Sequence, residues 1–171
     1  MEYVDIVNEN DDIIGSVSKQ EAHEKGLLHR TVISEVINTE GKWTLVKQSS
    51  DRQDAGQYVS PIGWHVRSGE GEDEALKREA EEEYRLKDVF KFQLKGKKIY
   101  NREVRGRKEN HYFVLYEIYT VKKPILNEES VGHETFSPDE LKAALKEEPN
   151  KFGTAFHFIV QPFYPFMLVE W

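Results

Sequence analysis

A chain of 171 residues with 38% hydrophobic content, 3 Trp, 8 Tyr and 9 Phe has enough apolar surface for one ordinary core, so a single domain over residues 1–171 is expected. The 24 Lys and Arg against 31 Asp and Glu leave a net charge of −7, which argues against nucleic acid or an anionic membrane as a whole-surface partner. The absence of cysteine excludes disulfides, thiolate zinc sites and cysteine nucleophiles, while the acidic start and the lack of a ~18-residue apolar run predict a soluble cytoplasmic protein.

Tyr3 to Val7 and Ile13 to Val17 read as a hairpin around the turn formers Asn8 to Asp12. Ser18 and Glu21 have capping-box spacing, which predicts a short helix to about Lys25, stopped by Gly26. Thr31 to Ile37 and Trp43 to Val46 read as strands joined by the turn Asn38 to Gly41. From Ser60 a loop containing Gly63, Gly69 and Gly71 leads into a helix over Glu72 to about Tyr84, rich in helix formers and free of breakers.

Two further β-prone stretches, Val89 to Tyr100 and His111 to Val121, flank a basic loop turning near Gly106. Ser137-Pro138-Asp139-Glu140 predicts another helix start, and the aromatic tail from Phe152 is helical to about Val160, before Pro162 and Pro165. The order of elements predicts an α+β protein, a mixed sheet with helices packed on it.

Glu79, Glu82 and Glu83 fall within an arc of about 100 degrees of the long helix, beside the apolar positions Ala75, Leu76, Ala80 and Tyr84. Like charges gathered at the edge of a core are relieved by protonation or by a cation, and ligation by oxygen alone suits Mg²⁺ or Mn²⁺. The competing reading is a solvated acidic face, in which such pairs cost only ~0.5 kcal/mol.

The stretch from Gly63 to Leu86 resembles the Nudix box, GX5EX7REUXEEXGU with U apolar, at Glu70, Arg78, Glu79, Glu82, Glu83 and Leu86, with Ala80 as a small apolar residue. It departs from the pattern at Trp64 and Arg85, each standing where the box has glycine. The resemblance implies a Nudix-type α/β/α sandwich and a Mg²⁺-dependent (or Mn²⁺-dependent) hydrolase of a diphosphate linkage. It implies cation ligands at Glu70, Glu79, Glu82, Glu83 and the Gly63 carbonyl, with Arg78 holding a glutamate in place. Glu82 or Glu83 is the candidate base; in some members a distant loop supplies it, and Glu134 is the guess here.

His23, His29 and His65, in their local contexts, are similar to the isopentenyl diphosphate isomerases of the same superfamily, where the matching positions bind a metal together with two acids. The counterparts of those acids here are Glu109 and His111, so one acid is replaced by histidine. The isomerase cysteine position is Gly63, which argues against isomerase activity. Hydrogen bonding within the fold is the alternative role for the histidines.

The basic residues Lys95, Lys97, Lys98, Arg102, Arg105, Arg107 and Lys108 either steer a polyphosphate or form a solvated hairpin. Phe152, Phe156, Phe158, Phe163, Tyr164, Phe166 and Trp171 read as core, a ligand pocket or a homodimer interface. The function expected is diphosphate hydrolysis on a nucleoside diphosphate derivative or related metabolite; an isomerase-like enzyme and a non-catalytic nucleotide sensor are the alternatives.

Overall fold

Residues 1–50, 55–87, 90–104 and 106–168 are described by the computed structural model. The N-terminal hairpin pairs β1 (Tyr3–Val7) with β2 (Ile13–Ser18), and Asn8 accepts backbone N–H bonds from Asn10 and Asp12 to close its turn. Ser18 then caps α1 (Lys19–Lys25) by accepting from the Glu21 N–H at 3.1 Å, and Gly26 ends it at φ +66°. Next come β3 (His29–Ile37), β4 (Trp43–Gln48), β5 (Tyr58–Val59) and β6 (Ile62–His65). Helix α2 (Glu72–Tyr84) has the predicted bounds, and a long ribbon of β7 (Lys91–Val104) and β8 (Arg107–Tyr119) follows it. The chain closes with β9 (Ser130–Phe136), α3 (Pro138–Glu147) and α4 (Thr154–Phe163).

Among the described residues nine strands form one mixed sheet, in which β3 runs parallel to β8 and every other pairing is antiparallel. Alternation along β3 and β8 sends successive side chains to opposite faces. Ile33, Phe113 and Leu115 pack with Phe156, Ile159 and Leu141 of α3 and α4. Val32, Val36, Val114, Tyr116 and Ile118 pack against Ala75, Leu76, Ala80 and Tyr84 of α2. The result is the expected α/β/α sandwich, with α2 on one face and α3 and α4 on the other. No described helix is long and apolar enough to cross a membrane.

Several expectations change. The basic stretch is ribbon, not loop: only the turn near Gly106, at φ +78°, lies outside β7 and β8. Val89, Arg105 and Trp171 lie outside the described residues. β6 and β9 carry no local strand signature, because both owe their conformation to partners far along the chain, Thr31–Ser34 and Trp43–Gln48. α4 runs through Pro162 to Phe163, since so close to the helix end the missing N–H costs a single bond. Phe152 and Phe156 are core while Phe166 is exposed.

Arg85 closes α2 in the left-handed region, φ +54°, while the Leu86 N–H reaches the Ala80 carbonyl at 3.2 Å. A Cβ there carries a penalty that glycine avoids, against the greater entropy of a glycine in the unfolded chain. Arg85→Gly is therefore expected to stabilise the protein by about 0.5–1 kcal/mol. Chemical denaturation should show a raised midpoint at unchanged slope; an unchanged or lower midpoint refutes this.

Candidate active site

On α2, Glu79 and Glu83 are one turn apart and both line a cleft of about 540 Å³ whose other walls include residues of β3, β4, β6, β8 and the start of α4. Glu79 is buried at 4% exposure, and Arg78 holds it, donating from Nη1 to Glu79 Oε1 at 2.6 Å. The other arms of the guanidinium bind Glu70 through Nε–Oε2 at 2.9 Å and Nη2–Oε1 at 3.0 Å, and the His65 carbonyl at 3.2 Å. One arginine thus ties together the loop before the helix, the helix and the end of β6, a use suited to its planar fork.

Glu70 takes a different place from the one the resemblance implies. Both its oxygens accept from Arg78, and Oε1 also accepts from the Arg67 N–H at 3.0 Å, so it anchors the arginine and does not line the cleft. Burial works to raise its pKa, but these hydrogen bonds outweigh burial and hold it below the usual carboxylate value. Glu82 is exposed and borders a neighbouring groove with Arg78, Glu81 and Arg85.

Burial pushes Glu79 up to about 7, aided by the Glu82 charge and opposed by Arg78. Burial, Glu129 and Glu82 raise Glu83 to about 7 as well. Two carboxylates converging on one cleft, both raised by burial and by like charge, have the donor chemistry of a hard-cation site. Gly63 lines the same cleft, with open space where a side chain would stand. Trp64 beside it is half-buried, with the Lys19 ammonium 4.8 Å above its ring.

Glu129, unremarked in the sequence, lines the cleft from the segment before β9. Glu134 does not: it pairs with Lys151 at 3.6 Å and accepts a hydrogen bond from Tyr58. Of the basic ribbon, Arg102 and Arg107 line the cleft, as Lys19 does, while Lys97 is bound to Asp11 at 2.5 Å and Glu72 at 2.8 Å.

A second cluster borders the cleft through His65 and His111. The parallel register sets His29 beside His111, the β3–β6 pairing sets Thr31 beside His65, and α1 adds His23. All four rings are buried, and their candidate ligand atoms lie within 4.8 Å of one another. Burial lowers His23 to about 4, His29 to about 3 and His65 well below its ordinary value, which keeps these imidazoles neutral near pH 7. Burial would raise Glu109, but the hydrogen bond from His111 and the nearby Arg102 and Arg107 charges bring it down to about 2.

A family model of the NUDIX domain matches residues 27–156, and the chain belongs to the Nudix family. Among its relatives, an isopentenyl-diphosphate Delta-isomerase of Aliivibrio fischeri is 32% identical over 170 residues, covering 91% of each chain. An uncharacterized Nudix hydrolase of Streptomyces coelicolor is 28% identical over 148 residues, 85% of this chain and 80% of the relative. Another, of Nostoc, is 38% identical over 88 residues, and that match spans only 52% of the relative's length. The crystal structure of DR0079 from Deinococcus radiodurans superposes with a TM-score of 0.74 at 22% identity, covering 95% of this chain and 99% of that one, which supports the fold alone. The chain therefore falls in the part of the family similar to the isomerases, with no cysteine anywhere in it.

Proposed function

We propose that this protein is a divalent-cation-dependent hydrolase that cleaves a diphosphate linkage in a nucleoside diphosphate derivative or related metabolite. The observation that carries this reading is the Arg78-held Glu79, turned with Glu83 into a cleft whose lining also includes Lys19, Arg102 and Arg107. Glu79 and Glu83 serve as cation ligands with Glu82 at the rim and the Gly63 carbonyl beside them; Glu70 and Arg78 fix the ligating geometry. Mg²⁺ or Mn²⁺ bound there supplies neutralisation of phosphate oxygens and acidification of water. Cationic side chains in the lining attract the polyphosphate into the cleft. Glu82 or Glu83, whichever stays free of the cation, is the candidate base.

Incubation with Mg²⁺ and a panel of nucleotide sugars, dinucleoside polyphosphates, nucleoside triphosphates and prenyl diphosphates should release phosphate-bearing products from at least one compound. Glu83→Gln should lower kcat about 100-fold, and Glu134→Gln should leave it unchanged. Full activity in Glu83→Gln would remove the assignment. The assembled histidines and the 32% identical isomerase favour an isomerase-like enzyme as the second reading. Gly63 puts no thiol at the isomerase cysteine position, so prenyl diphosphates in the panel should not be isomerised.

A further inference from the structure

We propose that Trp64 determines substrate class by stacking on a nucleobase, so that the cleft takes nucleoside diphosphate derivatives in preference to prenyl diphosphates. This rests on the proposed function only in placing the diphosphate in the same cleft. Trp64 is where the chain departs from the Nudix box, which has glycine at that position, so the indole is an addition peculiar to this sequence.

Packing does not account for the ring. Its neighbour on β6, Ile62, is fully buried in the cluster beneath α2, and Val32, opposite Trp64 in the register, is buried there too. Trp64 itself is half-buried and belongs to none of the three packed clusters of described residues. Indole is the largest apolar payload a side chain carries, and here it lines the cleft instead of filling the core. The next residue leaves room beside it: a Cβ added to Gly63 would meet nothing within 4 Å.

The surroundings of the ring decide which ligand it suits. Lys19 Nζ stands 4.8 Å from the ring centroid and 3.6 Å from Glu2, and the His65 ring lies 5.6 Å away at 55°. A hydrocarbon tail laid against this neighbourhood would strip water from charged groups and return no hydrogen bond to them. A nucleobase is planar and carries polar groups on its edge, so it covers an indole while its rim stays hydrated or bonded. Lys19, Arg102 and Arg107 line the same cleft, so cationic partners for the phosphates stand beside the platform for the base.

Calorimetric titration with three non-hydrolysable compounds and Mg²⁺ tests this: methylenediphosphonate, α,β-methylene-ADP and dimethylallyl methylenediphosphonate. Wild type should hold α,β-methylene-ADP at least about 10-fold more tightly than methylenediphosphonate. Trp64→Ala should erase that advantage yet shift methylenediphosphonate by no more than about three-fold, because Glu2 still tethers Lys19. Trp64→Phe should keep part of the advantage. Tryptophan emission should fall when α,β-methylene-ADP is added to wild type but not to Trp64→Phe, in which Trp43 and Trp171 remain. The wild-type affinities and the emission need no alanine variant to fold. A nucleotide held no more tightly than methylenediphosphonate by wild type overturns the proposal. So does a folded Trp64→Ala chain that weakens all three compounds alike, or one in which the dimethylallyl compound loses as much as the nucleotide. Since no bond is cleaved in these titrations, failure of every compound to turn over would remove the hydrolase and leave the stacking role of Trp64 standing.

Discussion

Replacing Arg78 by alanine is expected to destabilise the protein by about 3 kcal/mol, well beyond the 0–1 kcal/mol of a surface ion pair. The difference lies in burial: the side chains of Arg78, Glu70 and Glu79 are 16%, 15% and 5% exposed, so removing the cation leaves two sheltered carboxylates without their countercharge. Proton uptake limits the loss, because Glu79, already raised to about 7 with Arg78 present, moves higher without it and becomes neutral. The penalty should therefore be larger at pH 8, where that proton must come from a dilute supply, than at pH 5. Arg78→Lys keeps the charge but not the fork and should fall between alanine and wild type. In a double-mutant cycle, Glu79→Gln should recover part of the loss caused by Arg78→Ala. Urea unfolding at the two pH values reads all of this; an Arg78→Ala midpoint equal to wild type at pH 8 would show that the arginine bridge is not a structural tie.

What could be read from the sequence was whatever is decided within one turn or one cap. Ser18 and Ser137 mark helix starts because the groups they satisfy are three residues away, and both are seen accepting those N–H bonds. Glu79 and Glu83 share a face because they are four apart on a helix with no breaker between Glu72 and Tyr84. Groups set by distant pairing were out of reach. Glu129 meets Glu79 and Glu83 in the cleft only because β9 lies on β4, and Glu70 turns to Arg78 instead of the cleft because the helix brings that guanidinium beside it. The histidines are visible as residue types, yet their orientation depends on Thr31, which only the pairing of β3 with β6 and β8 brings within reach of His65 and His111.

The stability of the wild-type protein should fall as pH rises from about 4.5 to about 8, by up to about 5 kcal/mol from Glu35 alone. Glu35 is fully buried on β3, where the parallel register sets it beside Glu117 of β8. Ser60 donates to one of its oxygens while the other has no partner. Glu117 takes the local donors, accepting from Tyr119 at 2.5 Å and Tyr164 at 2.8 Å. Burial is the main cause that lifts Glu35 to about 8, with the Glu117 charge adding to it against the Ser60 hydrogen bond. Because the folded value lies above the unfolded one, the folded chain holds a proton that the unfolded chain releases above about pH 4.5. Each rise in pH therefore favours unfolding until Glu35 ionises in the fold near pH 8, above which the penalty is constant. Glu35→Gln keeps the shape and cannot ionise, so the variant should lose this slope and exceed wild type in stability at pH 8 to 9. Comparing the two chains cancels the other titrating groups, the depressed histidines included. Denaturation curves of wild type and Glu35→Gln that stay parallel from pH 5 to pH 9 would mean that Glu35 is not held neutral in the folded protein.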